Sequence, residues 1–446
     1  MFFRKPNPIN KKEFNSIKQP KYGLPSDVKF CKRCVISNQR PSSTIEFKNK
    51  ISEQKETIVF DSEGICAACR VAEQKQTINW EERRKKLEEV CNRFRSNDGS
   101  YDCLVPGSGG KDSFLQTWIL KYEFGMNPLT ITWAPNIYTP WGQRNHRRWI
   151  DSGFTNILVT PNGLTHRLVT RIALEKLFHP FQPFILGQKN LAAKMAARYN
   201  IKLVFYGESN AEYGSPVCEI GADRRGSKYF SKNSDDDLSI AGLTLEELKE
   251  FNLKKNDLNE YLPIDLNVLH ERKIEVRYLG YYIKWHPQGA YYHAVDKGDF
   301  EPSSERTLGT YSKYNSIDDK IDDLHYHTTF IKFGIGRATY DASQEVRSGD
   351  LTRSEAIALV NKYDGEWPKR WFKEISDYLS IDSKKFPKAS LCFEEPIMNE
   401  HYYDLLSDNF RSPHLWAWQD DKWVLKNQIK EINNSFEMLK EWQGNN

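Results

Sequence analysis

The hexapeptide Ser108-Gly109-Gly110-Lys111-Asp112-Ser113 restricts the fold of this chain more than any other stretch. Residues 101–105 before it read as a buried strand. After it, Phe114, Leu115, Trp118, Ile119 and Tyr122 mark the inner face of a helix. A glycine-rich turn from strand to helix puts free helix N–H groups at the carboxyl edge of a sheet, where open α/β sheets bind ligands. The two glycines let backbone approach a phosphate, the hydroxyls of Ser108 and Ser113 donate, and Lys111 adds positive charge. Asp112 repels phosphate, so its presence makes sense through a Mg²⁺ ion that bridges carboxylate and phosphates. The loop is not a Walker A motif: no glycine stands at the required distance before Gly110-Lys111, and Asp replaces Ser/Thr. A glycine-rich turn that matches by chance is the plain alternative.

The flanking segments repeat the alternation. Residues 129–133 form a second expected strand, followed by a helix near 141–151. A third strand, 157–160, stops at Pro161-Asn162-Gly163. Helices over 164–178 and 190–199 lead to a fourth strand at 201–206, and an amphipathic helix covers Trp80–Phe94. Strands alternating with helices of this length predict an α/β fold with a doubly wound, mostly parallel sheet. Past residue 225 the pattern weakens: 227–237 reads as a polar loop and 275–285 as a last strand. Capping boxes stand at Thr244-x-x-Glu247 and Thr352-x-x-Glu355. Beyond 300 the chain reads as mainly helical. Four units are expected: a basic arm (1–30), a cysteine module (31–75), a nucleotide domain (76–300) and a helical substrate or partner region (301–446).

Cys31-x-x-Cys34 and Cys66-x-x-Cys69 have the spacing of a structural zinc ribbon, in which two tight turns bring four thiolates into a closed tetrahedron. The spacer predicts a hairpin from 44–47 and 56–60. Unrelated thiol pairs or a redox CxxC are the alternatives, but neither pair adjoins the strand–helix step that a redox motif needs. Cys91, Cys103, Cys218 and Cys392 have no nearby partner and read as buried thiols. The net charge of +4, from 64 basic and 60 acidic residues, is too mild to argue for a nucleic-acid protein. The excess lies in the first residues, Arg4 to Arg33, as a solvated leader or an arm for an anionic partner. No apolar run has the length of a membrane span and no signal-peptide core precedes the fold, so a cytoplasmic location is expected.

The SGGKDS loop resembles the PP-loop of the N-type ATP pyrophosphatases, which cleave ATP between the α and β phosphates and leave an adenylated substrate. That resemblance implies pyrophosphate binding by Ser108 to Ser113, and adenine near Thr132, Trp133 and Ala134. Longer stretches resemble one family within that group, the N-acetyl sugar amidotransferases of bacterial surface-polysaccharide and nonulosonic-acid pathways: KFCKRCVISNQRP (29–41), FDSEGICAAC (60–69), YDCLVPGSGGKDS (101–113), HPFQPFILGQKN (179–190), FYGESNAEYGSP (205–216), ERTLGTYSKYNSIDDKID (305–322), IKFGIGRATYDA (331–342) and FRSPHLW (410–416). The resemblance implies ATP, Mg²⁺ and zinc as cofactors. The reaction it implies adenylates an acetamido or carboxylate oxygen of an amino sugar or sugar nucleotide, after which ammonia displaces AMP. Free ammonia is scarce at neutral pH, so the family is expected to work with separate glutaminase and cyclase-like subunits. No cysteine follows Met1 and none sits in a nucleophile elbow, so the chain shows no glutaminase signature of its own.

Other candidates follow from position. Gly207 and Glu208 follow the fourth strand and would face the loop if that strand lies beside the first; Glu208 then orients Mg²⁺ or a substrate hydroxyl, or else caps a turn. Gln188-Lys189-Asn190 opens a helix. Lys332 and Arg337 flank a glycine-flexed segment that suits an anionic sugar. Lys313, Asp318 and Asp319 lie in a charged run of the kind that usually faces solvent, and the scattered histidines receive no role. Two further readings stay open: a tRNA thiolase, which also combines a PP-loop with paired cysteines, and a zinc-ribbon nucleic-acid-binding protein.

Overall fold

The computed structural model describes residues 1–42, 45–50, 54–207, 209–214, 222–234 and 238–431. Five parallel strands stand at its centre: β1 (Cys103–Pro106), β2 (Pro128–Trp133), β3 (Thr155–Val159), β4 (Leu203–Tyr206) and β5 (Glu275–Tyr278). Their order is β3-β2-β1-β4-β5, so β1 lies between β2 and β4 and the loop after it opens at the switch point. The strands are apolar on both faces because helices cover both. Leu104, Leu129, Ile131 and Val204 pack toward α6 (Gly163–Leu177) and α7 (Gln182–Arg198). Cys103, Val105, Leu203 and Phe205 pack the other way, toward α3 (Trp80–Phe94) and the π-type turn Ile119–Glu123 that continues α4 (Lys111–Trp118). Each fully buried side chain of this size stabilises the fold by about 1.5–3 kcal/mol, which outweighs local propensity.

Some expectations change in detail. The second helix after β3 starts at Gln182 rather than 190, with Pro183 in its first turn, where a missing N–H costs nothing. Among the described residues of the cysteine-module spacer no hairpin strands form: Glu46–Lys48 is a 3-10 turn, and isolated bridges join Pro41 to Thr57 and Phe60 to Cys66. Thr44 lies outside the described residues. The stretch after 225 is not simply a polar loop, because Tyr229 and Phe230 bury themselves and Ser231–Lys232 pairs with Ile264–Asp265. Both capping boxes form as read.

The C-terminal part is helical, with α8 (Pro287–Gly298), α9 (Ile321–Phe333), α10 (Arg337–Ser348), α11 (Arg353–Tyr363), α12 (Phe372–Leu379) and α13 (Glu400–Phe410). A hairpin, β6 (Trp416–Gln419) with β7 (Lys422–Leu425), follows. This part folds back on the sheet domain. Asp319 accepts from Asn136 Nδ2 at 2.9 Å and from Ile137 N at 3.2 Å, and Glu301 pairs with Arg144 and Arg148 of α5 (Pro140–Asp151) at 2.7 and 2.9 Å. The cysteine module packs Ile36 and Ile58 against Ile335, and Val35 against Ala342 and Ala356.

Residues 1–30 are no free arm either. Phe3 stacks on Phe393 at 5.0 Å, and α1 (Lys11–Ser16) buries Phe14 against Trp423. Lys5 pairs with Glu395 at 2.9 Å, and Lys11 stands 3.4 Å from the Trp418 ring centre. Much of the leading positive charge is therefore engaged within the chain. Among the described residues, no helix is long and apolar enough to cross a membrane.

Candidate active site

The loop after β1 is held by its glycines. Gly109 has φ +83°, and a Cβ there would lie 2.6 Å from the His146 Cα of α5. Gly110 precedes the first turn of α4, and no side chain caps that helix, so its first N–H groups are left for an anion. Ser108, Gly109, Gly110, Lys111 and Asp112 line a cavity of about 340 Å³. Lys111 Nζ reaches Asp112 at 2.7 Å, with the lysine nearly buried and the aspartate 36% exposed. The Ser113 hydroxyl turns away and donates to the Gly110 carbonyl at 2.9 Å, so it fixes the turn rather than lining the cavity.

Opposite the loop stand Asp318 and Asp322, which the sequence left among solvated charges or unmentioned. Burial pushes both carboxyls above their ordinary range; neighbouring aspartates add to this at Asp322, while a hydrogen bond from Ser108 opposes it at Asp318. Carboxylates beside a glycine loop are the donor type that a hard divalent cation takes, but among the described residues only the four cysteines converge as a ready metal-ligand group. Asp112, Asp318 and Asp322 line the cavity without closing on one point, so a Mg²⁺ ion here would have to enter with the phosphates it neutralises. Asp319 has another job: it also caps Ile321 N at 3.0 Å and ties α9 to the end of β2. Lys313 is exposed and donates to the Ser304 carbonyl.

Thr132, Trp133 and Ala134 do not line this cavity. Thr132 is bonded to His146 and Asn156, and Ala134 N donates to the Val159 carbonyl. The Trp133 ring lies against Tyr261 and over Gly187, where a Cβ would come within 2.3 Å of it. These side chains are core, and the adenine contacts expected of Thr132 and Trp133 are not offered by them. Gly207 follows β4 and does not line the cavity, and a Cβ there would meet Gln116 Nε2 at 2.8 Å; Glu208 and Cys218 lie outside the described residues. Of Gln188, Lys189 and Asn190, only Gln188 reaches the cavity: Lys189 pairs with Glu46, and Asn190 donates to the Tyr261 carbonyl.

A second cavity of about 400 Å³ adjoins the first. Tyr213, Tyr326, Arg337 and Gln344 line both. Its walls carry Arg40, Lys50, Lys55, Lys176, Lys332, Arg337 and Arg347, and the one carboxylate among its described residues, Asp341, is bound by Arg337 at 3.1 Å. Lys332 closes the last turn of α9, Gly334 follows with φ +66°, and Arg337 opens α10, so the two predicted cations meet across a helix corner. Burial, helped by Lys55, lowers the Lys332 ammonium to about 7. Only Lys332 and Arg337 were visible in the sequence as a pair. The other cations come from separate segments and share no spacing.

The four cysteines form a closed cluster, their sulfurs all within 4.8 Å of one another. Cys31 and Cys69 Sγ are 3.9 Å apart, and Cys34 and Cys66 Sγ 3.7 Å. Tetrahedral zinc with bonds of about 2.3 Å separates its sulfurs by about 3.8 Å, whereas a disulfide requires about 2.05 Å. The residues fit a structural zinc with no open position. Cys91 and Cys103 are buried thiols whose pKa burial raises, Cys91 to about 12, which makes both poor nucleophiles; Cys392, also expected to be buried, is partly exposed and donates to the Glu250 carbonyl at 3.6 Å.

Comparison with known proteins adds to this geometry. The sequence matches an uncharacterized protein, MJ1599, of Methanocaldococcus jannaschii at 35% identity over 80 residues, which is 18% of this chain and 28% of that protein. The chain thus spans little more than a quarter of that relative. Residues 308–430 match the family described as LPS biosynthesis protein WbpG-like, C-terminal domain. The part of the chain that supplies Asp318, Asp322, Lys332 and Arg337 to the two cavities is therefore similar to a domain of lipopolysaccharide biosynthesis proteins.

Proposed function

We propose that this protein is an ATP-dependent sugar amidotransferase of the PP-loop type, acting in surface-glycan biosynthesis. One observation carries the reading. A glycine loop suited to phosphate floors one cavity, that cavity adjoins a second lined by cations, and Tyr213, Tyr326, Arg337 and Gln344 are common to both. ATP occupies the first cavity and an anionic amino sugar or sugar nucleotide the second. The similarity of residues 308–430 to a lipopolysaccharide biosynthesis domain agrees with a sugar substrate.

The acetamido or carboxylate oxygen attacks the α-phosphorus from the shared wall. Pyrophosphate leaves toward the N–H groups of the loop and Lys111, which stabilise the charge that develops on it. Asp112, Asp318 and Asp322 would hold a Mg²⁺ ion brought in with ATP, which would neutralise phosphate charge. Arg337, clamped by Asp341, holds the substrate anion near the α-phosphate, and Lys332 does so from the deeper cavity. Ammonia then displaces AMP. It arrives from a separate glutaminase with a cyclase-like partner, since Cys91 and Cys103 are buried and the partly exposed Cys392 lines neither cavity.

The test is mass spectrometry of a panel of acetamido sugars and sugar nucleotides incubated with the protein, ATP, Mg²⁺ and ammonium. The expected product has lost one mass unit through exchange of oxygen for NH, with AMP and pyrophosphate formed in equal amount. Unchanged sugars throughout the panel, or release of ADP and phosphate instead, overturn the proposal.

A further inference from the structure

Two histidines stand in the wall of the basic cavity, and no step above uses them. His179 lies just past α6 and His325 on α9, yet their rings stack 4.7 Å apart with planes 14° from parallel. Phe181, which lines the loop cavity, stacks on His325 as well, at 5.3 Å. The neighbour of His325, Tyr326, lines both cavities. The His325 ring thus lines the basic cavity beside two residues of the loop cavity, next to the seam where the amidotransferase reading puts the adenylated carbon. No hydrogen bond to a described residue holds either ring, and the Nδ1 atom of each is buried without a partner. A buried imidazole kept for packing alone gains nothing from its nitrogens and loses their hydration, so the position asks for another reason.

The surroundings leave the ring neutral, with a nitrogen lone pair available to a proton. Burial, then His179, Arg337 and Lys332, hold His325 well below the ordinary histidine range, while Glu46 opposes them. His179 is held down by burial and by Lys332, Lys55 and Lys189. Lys332 lines the same wall, where its amine donates to the Leu177 carbonyl at 2.6 Å and, in the reading above, holds the substrate anion.

We propose that His325 is the proton acceptor of the nitrogen-transfer step, which rests on the amidotransferase reading. When ammonia adds to the adenylated carbon, the new C–N bond leaves a positive charge on nitrogen. One N–H proton has to depart before the nitrogen electron pair can expel the AMP oxygen. The imidazole takes that proton, the C–O bond breaks, and AMP leaves with the bonding pair. Amidine or amide, AMP and one proton on His325 account for every atom. Attack of the substrate oxygen on ATP releases no such proton, so adenylation does not depend on this residue.

The experiment compares wild type, His325→Ala and His325→Gln with the panel sugar that the wild type converts. Pyrophosphate release without ammonium reads adenylation, and nitrogen incorporation reads transfer. Both variants are expected to adenylate near the wild-type rate while transfer falls about 10²–10⁴-fold. Added imidazole should restore part of the transfer in His325→Ala, where space is vacated, but not in His325→Gln. Transfer near the wild-type rate in either variant overturns the assignment, as does an equal loss of both half-reactions without imidazole rescue. Should His325→Ala not fold, the ratio of the two half-reactions in His325→Gln decides alone. A wild type that exchanges nitrogen on no sugar of the panel overturns the amidotransferase reading itself, and this assignment with it.

Discussion

Two alanine substitutions in the glycine loop separate its folding role from its phosphate role. At Gly109 the backbone has φ +83°, and an added methyl would lie 2.6 Å from His146 Cα and 2.8 Å from His146 N. Left-handed backbone costs a residue with a Cβ about 1–2 kcal/mol. A methyl driven into helix backbone costs about 1–3 kcal/mol more. The sum, about 2–5 kcal/mol, is a large share of a typical stability of about 5–15 kcal/mol. Gly109→Ala should therefore melt several degrees lower and lose ATP turnover together. At Gly110, by contrast, φ is −73°, and the nearest heavy atom to an added methyl is Ser108 Oγ at 3.6 Å, an ordinary contact. Gly110→Ala should keep its stability within about 0.5 kcal/mol. Its methyl, however, occupies the cavity where backbone is to meet phosphate, so KM for ATP should rise at least about tenfold, equivalent to 1.4 kcal/mol. Thermal melts and pyrophosphate release over a range of ATP concentrations read the two effects. Unchanged ATP kinetics in Gly110→Ala would refute the phosphate cradle, and a wild-type melt for Gly109→Ala would refute the tight seating of the loop on α5.

Further outcomes follow from the same geometry. Asp112→Asn removes a half-exposed carboxylate whose ion pair is with Lys111, so it should fold normally yet lose ATP cleavage; wild-type pyrophosphate release would contradict this. The purified chain should hold one zinc, and Cys34→Ser should lose it along with soluble yield, because Ile36 and Ile58 beside the cluster pack on Ile335; protein purified without chelator and free of zinc rules this out. Lys332, lowered to about 7, carries its charge below that pH and sheds it above, so affinity for an anionic sugar nucleotide should weaken as pH rises through 7, and Lys332→Met should flatten the curve. The unfolded lysine keeps its proton up to its usual 10.5, so between 7 and 10.5 the unfolded state binds more protons and this residue makes stability rise with pH, which melts of the two proteins can check. The chain alone should use ammonium but not glutamine, and an added glutaminase subunit should restore glutamine use; glutamate formed by the chain alone would show otherwise.

What the sequence determined by itself is local chemistry. A buried strand, two glycines free of Cβ and an apolar helix face lie within about twenty residues, so the phosphate-type loop and its place at a sheet edge follow from neighbours in the chain. The alternation around it was enough for a parallel sheet, because strands of one direction need helical crossovers. The cysteine quartet was legible for the same reason, two short spacings that each form one turn. Tertiary structure decided the rest. Arg40, Lys55, Lys176, Lys332 and Arg347 become one basic wall only when the cysteine module, α6, α9 and α10 converge, and no spacing in the chain encodes that. Asp318 and His325 looked like a member of a charged run and a lone histidine, and Asp322 drew no notice, until α9 and the segment before it docked against the sheet domain and brought them to the cavities. Trp133 stands at a strand end, where an adenine neighbour is expected, but the glycine at 187 draws its ring into the core instead. The cations of the first thirty residues read as free because their aromatic and acidic partners lie at the far end of the chain. Local signals fix what a segment is, but which segments share a cavity depends on long-range packing that the burial of apolar faces selects.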